Sequence, residues 1–408
     1  MTATPTSMAP QGRPPTAQVV VVLSLLLGLQ PVTTDLYLPS LPGLARELGA
    51  PMAGAQLTLS ALILAFGLGQ LVVGPMSDRF GRRPLLLGGL SVYVMASMAS
   101  LWASSIETLI AARVLQGIGL AASVVCGRAM VRDLYEPLEG THIMSRGQSG
   151  LGLFALASPL VGGWLAVGAG WRASLATTGM IAAVALALVL TRLPETIPQK
   201  HKDALKPARM WEHWVKIAQH RTFRAWALLL LFTYGGLYTF LAGSAFVVID
   251  VLGVSRQHYG WLLASSSASY LAGTFACRRA LARWGIARSV TLAGFFTAAG
   301  GLSMMAVTLF GTHNLWSIGL SQALFAFGHG VHQPCGQAGV VAPFPAQAGA
   351  ASALSGFVLA AGAFVIGLWL GQTMNGAIWP LTMTEGILAI ATAVTAWTLV
   401  RRHGNSSS

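Results

Sequence analysis

Apolar runs of close to 20 residues, separated by short polar breaks, fill almost the whole chain. They fall near 19–42, 54–73, 85–104, 107–128, 142–166 and 171–193. After a polar gap they resume near 223–248, 258–277, 288–310, 314–338, 348–370 and 378–400. A helix needs about 20 residues to cross about 30 Å of hydrocarbon. The pattern therefore predicts an all-α polytopic membrane protein with twelve transmembrane helices in two six-helix bundles.

The expected organisation has five parts. Residues 1–18, rich in Pro, Thr and Ser, read as a disordered cytoplasmic tail. Residues 19–193 form the N-terminal bundle, 194–222 a charged cytoplasmic linker, 223–400 the C-terminal bundle and 401–408 a cytoplasmic tail. The first apolar run is too long for a signal-peptide core and lacks a clear small-x-small cleavage site, so it reads as a retained helix. Two sets of six also suggest an internal repeat.

Composition sharpens this. Of 408 residues, 9% are charged and 54% hydrophobic, with a mean hydropathy of +0.65. Soluble domains average about 25% charged residues, so a soluble protein is excluded. The net charge of +13 lies between apolar runs rather than on one basic face, which argues against nucleic-acid binding. Arg79, Arg82, Arg83, Arg128, Arg132, the linker, Arg278, Arg279, Arg283, Arg401 and Arg402 occupy even-numbered turns or the C-terminal end. Odd turns hold little more than Arg46, Arg172 and Arg256. By the positive-inside rule both termini are cytoplasmic. Cys126, Cys277 and Cys335 fall within spans without CxxC spacing and read as buried apolar residues.

A charge at mid-span costs about 2.5–3.5 kcal/mol and by default marks a functional site. Asp35 lies in the first span and Arg113 early in the fourth. Counting about 1.5 Å per residue from the expected helix ends puts both roughly 9–14 Å below the same surface. A state-dependent distance between them would change proton affinity, the physical requirement for proton-driven exchange. Pro39 and Pro42 read as termination of the first helix.

The loop Gly74-Pro75-Met76-Ser77-Asp78-Arg79-Phe80-Gly81-Arg82-Arg83-Pro84 resembles the signature between the second and third helices of the major facilitator superfamily. Four further segments narrow the resemblance: Thr34-Asp35-Leu36-Tyr37-Leu38-Pro39, Arg113-x-x-Gln116-Gly117-x-Gly119, Gly127 to Asp133 and Gly170-Trp171-Arg172-Ala173. With Leu193-Pro194-Glu195-Thr196, they look like the Bcr/CflA branch of bacterial drug:proton antiporters, linked to bicyclomycin and chloramphenicol-class resistance. That resemblance implies the major facilitator fold and an inner-membrane monomer that exchanges amphipathic drugs for protons. It implies no cofactor. It also implies Asp35 as the proton-responsive acid with Arg113 as partner, and a conformational latch of Gly74, Asp78, Arg79, Gly81, Arg82 and Arg83. Arg132 and Asp133 join that latch as a further donor and acceptor. The antiporter pattern of the fifth helix, Gly-Pro-x-x-Gly-Gly, appears as Ser158-Pro159-Leu160-Val161-Gly162-Gly163, with Pro159, Gly162 and Gly163 retaining a kink and close helix contact.

Other residues stay open. Tyr37, Gln116, Tyr234, Tyr238, His329 and His332 are candidate substrate-cavity residues. His329, His332 and Cys335 tempt a metal reading, but no carboxylate supports it, so none is assigned. Glu385, deep in the last span, fits helix packing, snorkelling or proton transfer. Asp250 reads as interfacial. No Walker motif occurs, and isolated acids do not make an intramembrane enzyme. The rival reading is a metabolite transporter of the same fold.

Overall fold

The structure, a computed structural model, describes residues 14–197 and 205–404. Residues 1–13, 198–204 and 405–408, within the expected tails and linker, lie outside the described residues. The elements are α1 (Thr16–Asp35), a 3-10 turn (Leu38–Ser40), α2 (Leu41–Glu47), α3 (Met52–Phe80), α4 (Arg82–Leu101) and α5 (Ile106–Leu134). There follow α6 (Pro137–Gly168), α7 (Gly170–Arg192), α8 (Pro207–Gln219), α9 (Arg221–Ala245), α10 (Arg256–Leu309) and α11 (Leu315–Val341). The chain closes with α12 (Ala348–Thr373), α13 (Trp379–Thr395) and α14 (Arg401–His403).

Ten helical stretches are long and apolar enough to cross a membrane among the described residues. One of these, α10, is two spans joined at Gly285, whose φ of 70° is open to glycine at little cost. The helix α11 supplies the remaining span; Gln322, His329, His332 and Gln333 dilute its apolar run. Twelve spans result, as the periodicity predicts, in two bundles of six. The first differs in detail from expectation. It is not terminated by Pro39 and Pro42; it continues through the 3-10 turn and α2 to Glu47. A prolyl break inside a span is tolerated where neighbouring groups pair the freed backbone.

Packing divides the molecule by depth. One core belongs to the N-terminal bundle alone and includes Leu23, Leu26, Leu90, Val124 and Val189. A second belongs to the C-terminal bundle, with Trp226, Leu230, Val290, Val340 and Val400. Both lie toward the face that carries the chain ends, termed the terminal face. The third core is shared. Tyr37, Leu38, Leu41 and Leu59 of the first bundle pack with Tyr238, Phe240, Phe246 and Tyr259 of the second, near the opposite face. Removal of this apolar surface from water is the main force closing that face. The molecule is thus sealed opposite its termini and has separate cores on the terminal side.

Polar bonds follow the same seal. Ser60 and Tyr238 share a hydrogen bond of 2.8 Å between hydroxyls. The Gln56 amide donates to the Ala242 carbonyl at 3.3 Å. Arg46 pairs with Asp250 at 2.8 Å, and Arg256 Nη1 donates to the Ala166 carbonyl at 2.6 Å. Each joins one bundle to the other.

Candidate functional site

The first span breaks where its charge lies. Asp35 is the last residue of α1, Leu36 and Tyr37 turn, and the 3-10 segment follows. The Asp35 carboxylate accepts from the Thr34 hydroxyl at 2.7 Å and forms no ion pair among the described residues. It is partly exposed and lies within electrostatic reach of Tyr234 and Tyr259 in the other bundle. It therefore sits on the seam between the bundles, below the shared core.

Arg113 is fully buried and does not bond Asp35 in this state. Its Nη2 donates to the Thr33 carbonyl at 3.0 Å and its Nη1 to Gln116 at 2.9 Å. The guanidinium lies 4.4 Å from the Tyr37 ring centre, a desolvated cation–π contact worth about 2 kcal/mol. Its Nε has no partner among the described residues. The arginine bonds the backbone two residues before Asp35, so the two charged residues lie close together along the first span. What differs is direction: the carboxylate faces the seam and the guanidinium faces the interior of its own bundle. Around it, Tyr93 and Thr33 share a 2.6 Å bond and Gln116 donates to Ser97 at 2.8 Å. A buried cation without a counter-ion is costly, and Asp35 is the acid placed to approach it.

The six cavity candidates separate. Only Tyr234 keeps partial exposure, stacked on Tyr238 at 6.4 Å. Tyr37, bonded to Thr58 at 2.9 Å, and Gln116 belong to a packed layer beneath the seam, because their polar atoms are satisfied there. Tyr238 is held in the seal by Ser60. His329 bonds Thr233 at 3.0 Å and packs against Tyr270 and Phe325. His332 Nε2 faces the Val290 carbonyl at 3.3 Å, while Cys335 meets Cys277 with 3.6 Å between sulfurs. The three diverge, and among the described residues no cluster suited to a metal ion forms. Glu385 is fully buried with neither oxygen bonded among the described residues, so it does not snorkel to an interface.

The loop at Gly74–Arg83 is a junction within one bundle. Gly81 has φ of 114°, which a side chain rarely adopts, and turns the chain from α3 into α4. Arg82 pairs with Asp78 and, through Nε at 3.0 Å, with Asp133 at the end of α5. Its Nη1 donates to Ser77 at 2.5 Å. Arg79 lies over Phe80, and Arg83 donates to the Leu190 carbonyl at 2.8 Å. Arg132 points elsewhere, 4.0 Å from where a Gly349 side chain would begin. Of the expected donors, Arg82 alone serves both acids. Glu195, of the Leu193-Pro194-Glu195-Thr196 motif, also belongs to this junction. Its carboxylate accepts from the backbone N–H of Arg82 at 2.9 Å and of Arg83 at 3.2 Å, capping α4 from a distance and favoured by the helix dipole. Thr196 adds a bond to Asp133 at 3.1 Å.

In α6, Ser158 donates to the Phe154 carbonyl at 2.6 Å, and Pro159 precedes two glycines that face different neighbours. Gly162 lies against the Leu36 backbone, next to Asp35. Gly163 lies against α10 of the other bundle: a methyl there would stand 2.9 Å from the Arg256 carbonyl oxygen and 3.5 Å from Gly260 Cα.

Residues 23–255 match the Major Facilitator Superfamily. Among curated relatives, multidrug resistance protein D of Escherichia coli (strain K12) is 30% identical over 91% of this chain and 94% of its own length. The chloramphenicol resistance protein of Pseudomonas aeruginosa is 29% identical over 94% of this chain and 87% of its own. The bicyclomycin resistance protein homolog of Haemophilus influenzae is 25% identical, covering 94% and 96%. The fold matches a D-xylose-proton symporter with a TM-score of 0.74 at 15% identity, covering 95% of this chain and 99% of that one. The chain is a multi-pass transporter, not an enzyme, and belongs to the Bcr/CflA branch of the major facilitator superfamily.

Proposed function

We propose that the protein exports amphipathic, drug-like compounds across a bacterial inner membrane in exchange for protons, as a monomer with both termini in the cytoplasm. One observation carries the reading. Asp35 lies without an ion-pair partner among the described residues on the seam, below the shared core and two residues beyond the Thr33 carbonyl that holds the buried Arg113 cation to its helix. With the opposite face sealed, its exposed surface is reached from the terminal side. In this state the carboxyl takes a proton or meets substrate. Opening the seal splits the core that includes Tyr37, the ring stacked on Arg113. That frees the guanidinium to approach Asp35, favours the ionised acid and releases the proton. Tyr234 offers an aromatic wall beside the acid.

The energy suffices. One charge moving down about 150 mV yields roughly 3.5 kcal/mol, enough for a gradient of several hundredfold for a neutral solute. The names of the relatives support a drug rather than a metabolite as cargo. The test is proton movement in everted vesicles of a strain lacking its own pumps. Chloramphenicol-class compounds are expected to release protons from vesicles carrying the native chain, and Asp35→Asn is expected to abolish that release while the variant still folds. Full drug export by Asp35→Asn would refute the coupling. Proton release triggered by sugars or amino acids, and not by drugs, would refute the cargo.

A further inference from the structure

Opposite the termini, the bundles leave a cleft of about 480 Å³, with walls from both. Its floor is apolar: Phe246, Val247 and Met374 are buried there. Its rim holds the Arg46–Asp250 pair, and Ala377 lies at its edge. This volume is within the range of small-ligand pockets, about 300–1,000 Å³. The cleft lies on the other side of the seal from Asp35.

Charge indicates what fits. Arg46 spends Nη1 on Asp250, and its remaining donors have no partner among the described residues. Its side chain is 59% exposed. Arg256, next to Gly43 and just outside the cleft lining, bonds the Ala166 carbonyl and no other group among the described residues. Nearby Arg172 and Glu47 cancel one another. Arg46 and Asp250 are the charged residues of the cleft lining, and Arg256 behind Gly43 adds a second positive charge to this edge, leaving an excess of one there.

We propose that this cleft is a binding site for small amphipathic anions, an aromatic sulfonate or carboxylate, whose occupation holds the opposite face closed. The anion pairs with the free donors of Arg46, a charge-assisted contact, and the rings rest on Phe246 and Met374. Both walls must be present, so the ligand binds only the closed form and shifts the population toward it. Such compounds inhibit transport without entering the Asp35 site.

The three native cysteines are buried, so Ala377→Cys and Thr312→Cys each add one accessible thiol on this face, the second away from the cleft. The probe is anilinonaphthalene sulfonate, added to the full chain in lipid nanodiscs before a maleimide. At ten times its half-saturating concentration, labelling at position 377 is expected to slow about tenfold, in proportion to the free fraction, with labelling at 312 unchanged. Arg46→Gln in the Ala377→Cys background is expected to raise the concentration needed by about tenfold, one charge-assisted contact. No protection at 377 would overturn the site. Equal slowing at both positions would also overturn it, by placing the probe in the lipid. Protection unaffected by Arg46→Gln would overturn the anion assignment. Labelling requires no transport, so these outcomes are independent of proton coupling.

Discussion

Gly163→Ala adds one methyl group at the seal, and its effect follows from the packing. The new carbon would lie 2.9 Å from the Arg256 carbonyl oxygen, 3.4 Å from Gln257 Cα and 3.5 Å from Gly260 Cα. All three are backbone atoms of the other bundle, so no side chain can swing away. The start of α10 must retreat by a few tenths of an ångström, straining the Arg256–Ala166 bond formed at the same place. Overpacking of this kind costs about 1–3 kcal/mol. The clash exists only while the face is closed, so the cost falls on that state alone. The ratio of open to closed molecules should rise about 5- to 150-fold. Spin labels at Ala50→Cys and Asn375→Cys, on facing walls of the cleft, report it by pulsed electron-spin distance measurement. The long-distance population should grow in Gly163→Ala. Gly162→Ala is the contrast, since its methyl meets the Leu36 backbone within its own bundle; it should damage the Asp35 segment without favouring the open face. An unchanged distance distribution in a folded Gly163→Ala protein would refute the account of the seal.

Three other outcomes are expected. Arg113→Ala removes the donor to Thr33 and Gln116, and the buried acceptors left behind should cost about 1–3 kcal/mol each, read by thermal unfolding. The same variant should alter the pH dependence of substrate binding, measured by titration; an unaltered profile would count against Arg113 in coupling. Glu195→Ala removes the cap of α4 and should lower stability by about 0.5–2 kcal/mol, while Glu195→Gln, which keeps an acceptor, should lose less. Arg46 and Asp250 are 59% and 37% exposed, so a double-mutant cycle should give only about 0.2–1 kcal/mol, shrinking as salt is added.

The spans were legible because hydrocarbon thickness imposes one length on every helix, whatever its neighbours. Even α10, whose two halves meet at the non-helical Gly285, reads as two runs separated by Arg278, Arg279 and Arg283. The nearness of Asp35 and Arg113 along their spans follows from the same length constraint, since rise per residue converts position into depth. Their mutual orientation does not. It depends on the turn at Leu36 and Tyr37, where the helix phase that assigns faces is lost. The continuation through Pro39 and Pro42 was missed because proline signals termination unless a neighbouring bundle supports the broken segment. Contacts across the seal, such as Arg46 with Asp250 and Arg256 with Ala166, join residues far apart in sequence, so neither partner announces the other. Glu195 was visible only as part of a motif, because a side chain that caps a helix more than a hundred residues away leaves no local pattern.

The position of that glutamate bears on how far the bundles can part. Glu195 and Thr196 are tied to the α4 start and to Asp133, and α8 is anchored in the C-terminal bundle by Ile217. The first bundle therefore keeps hold of the chain as far as Thr196, and Glu195 sets where the connection departs from it. Cutting Glu195 loose would lengthen the leash at its N-terminal end, so the motif loop also sets the slack of the hinge.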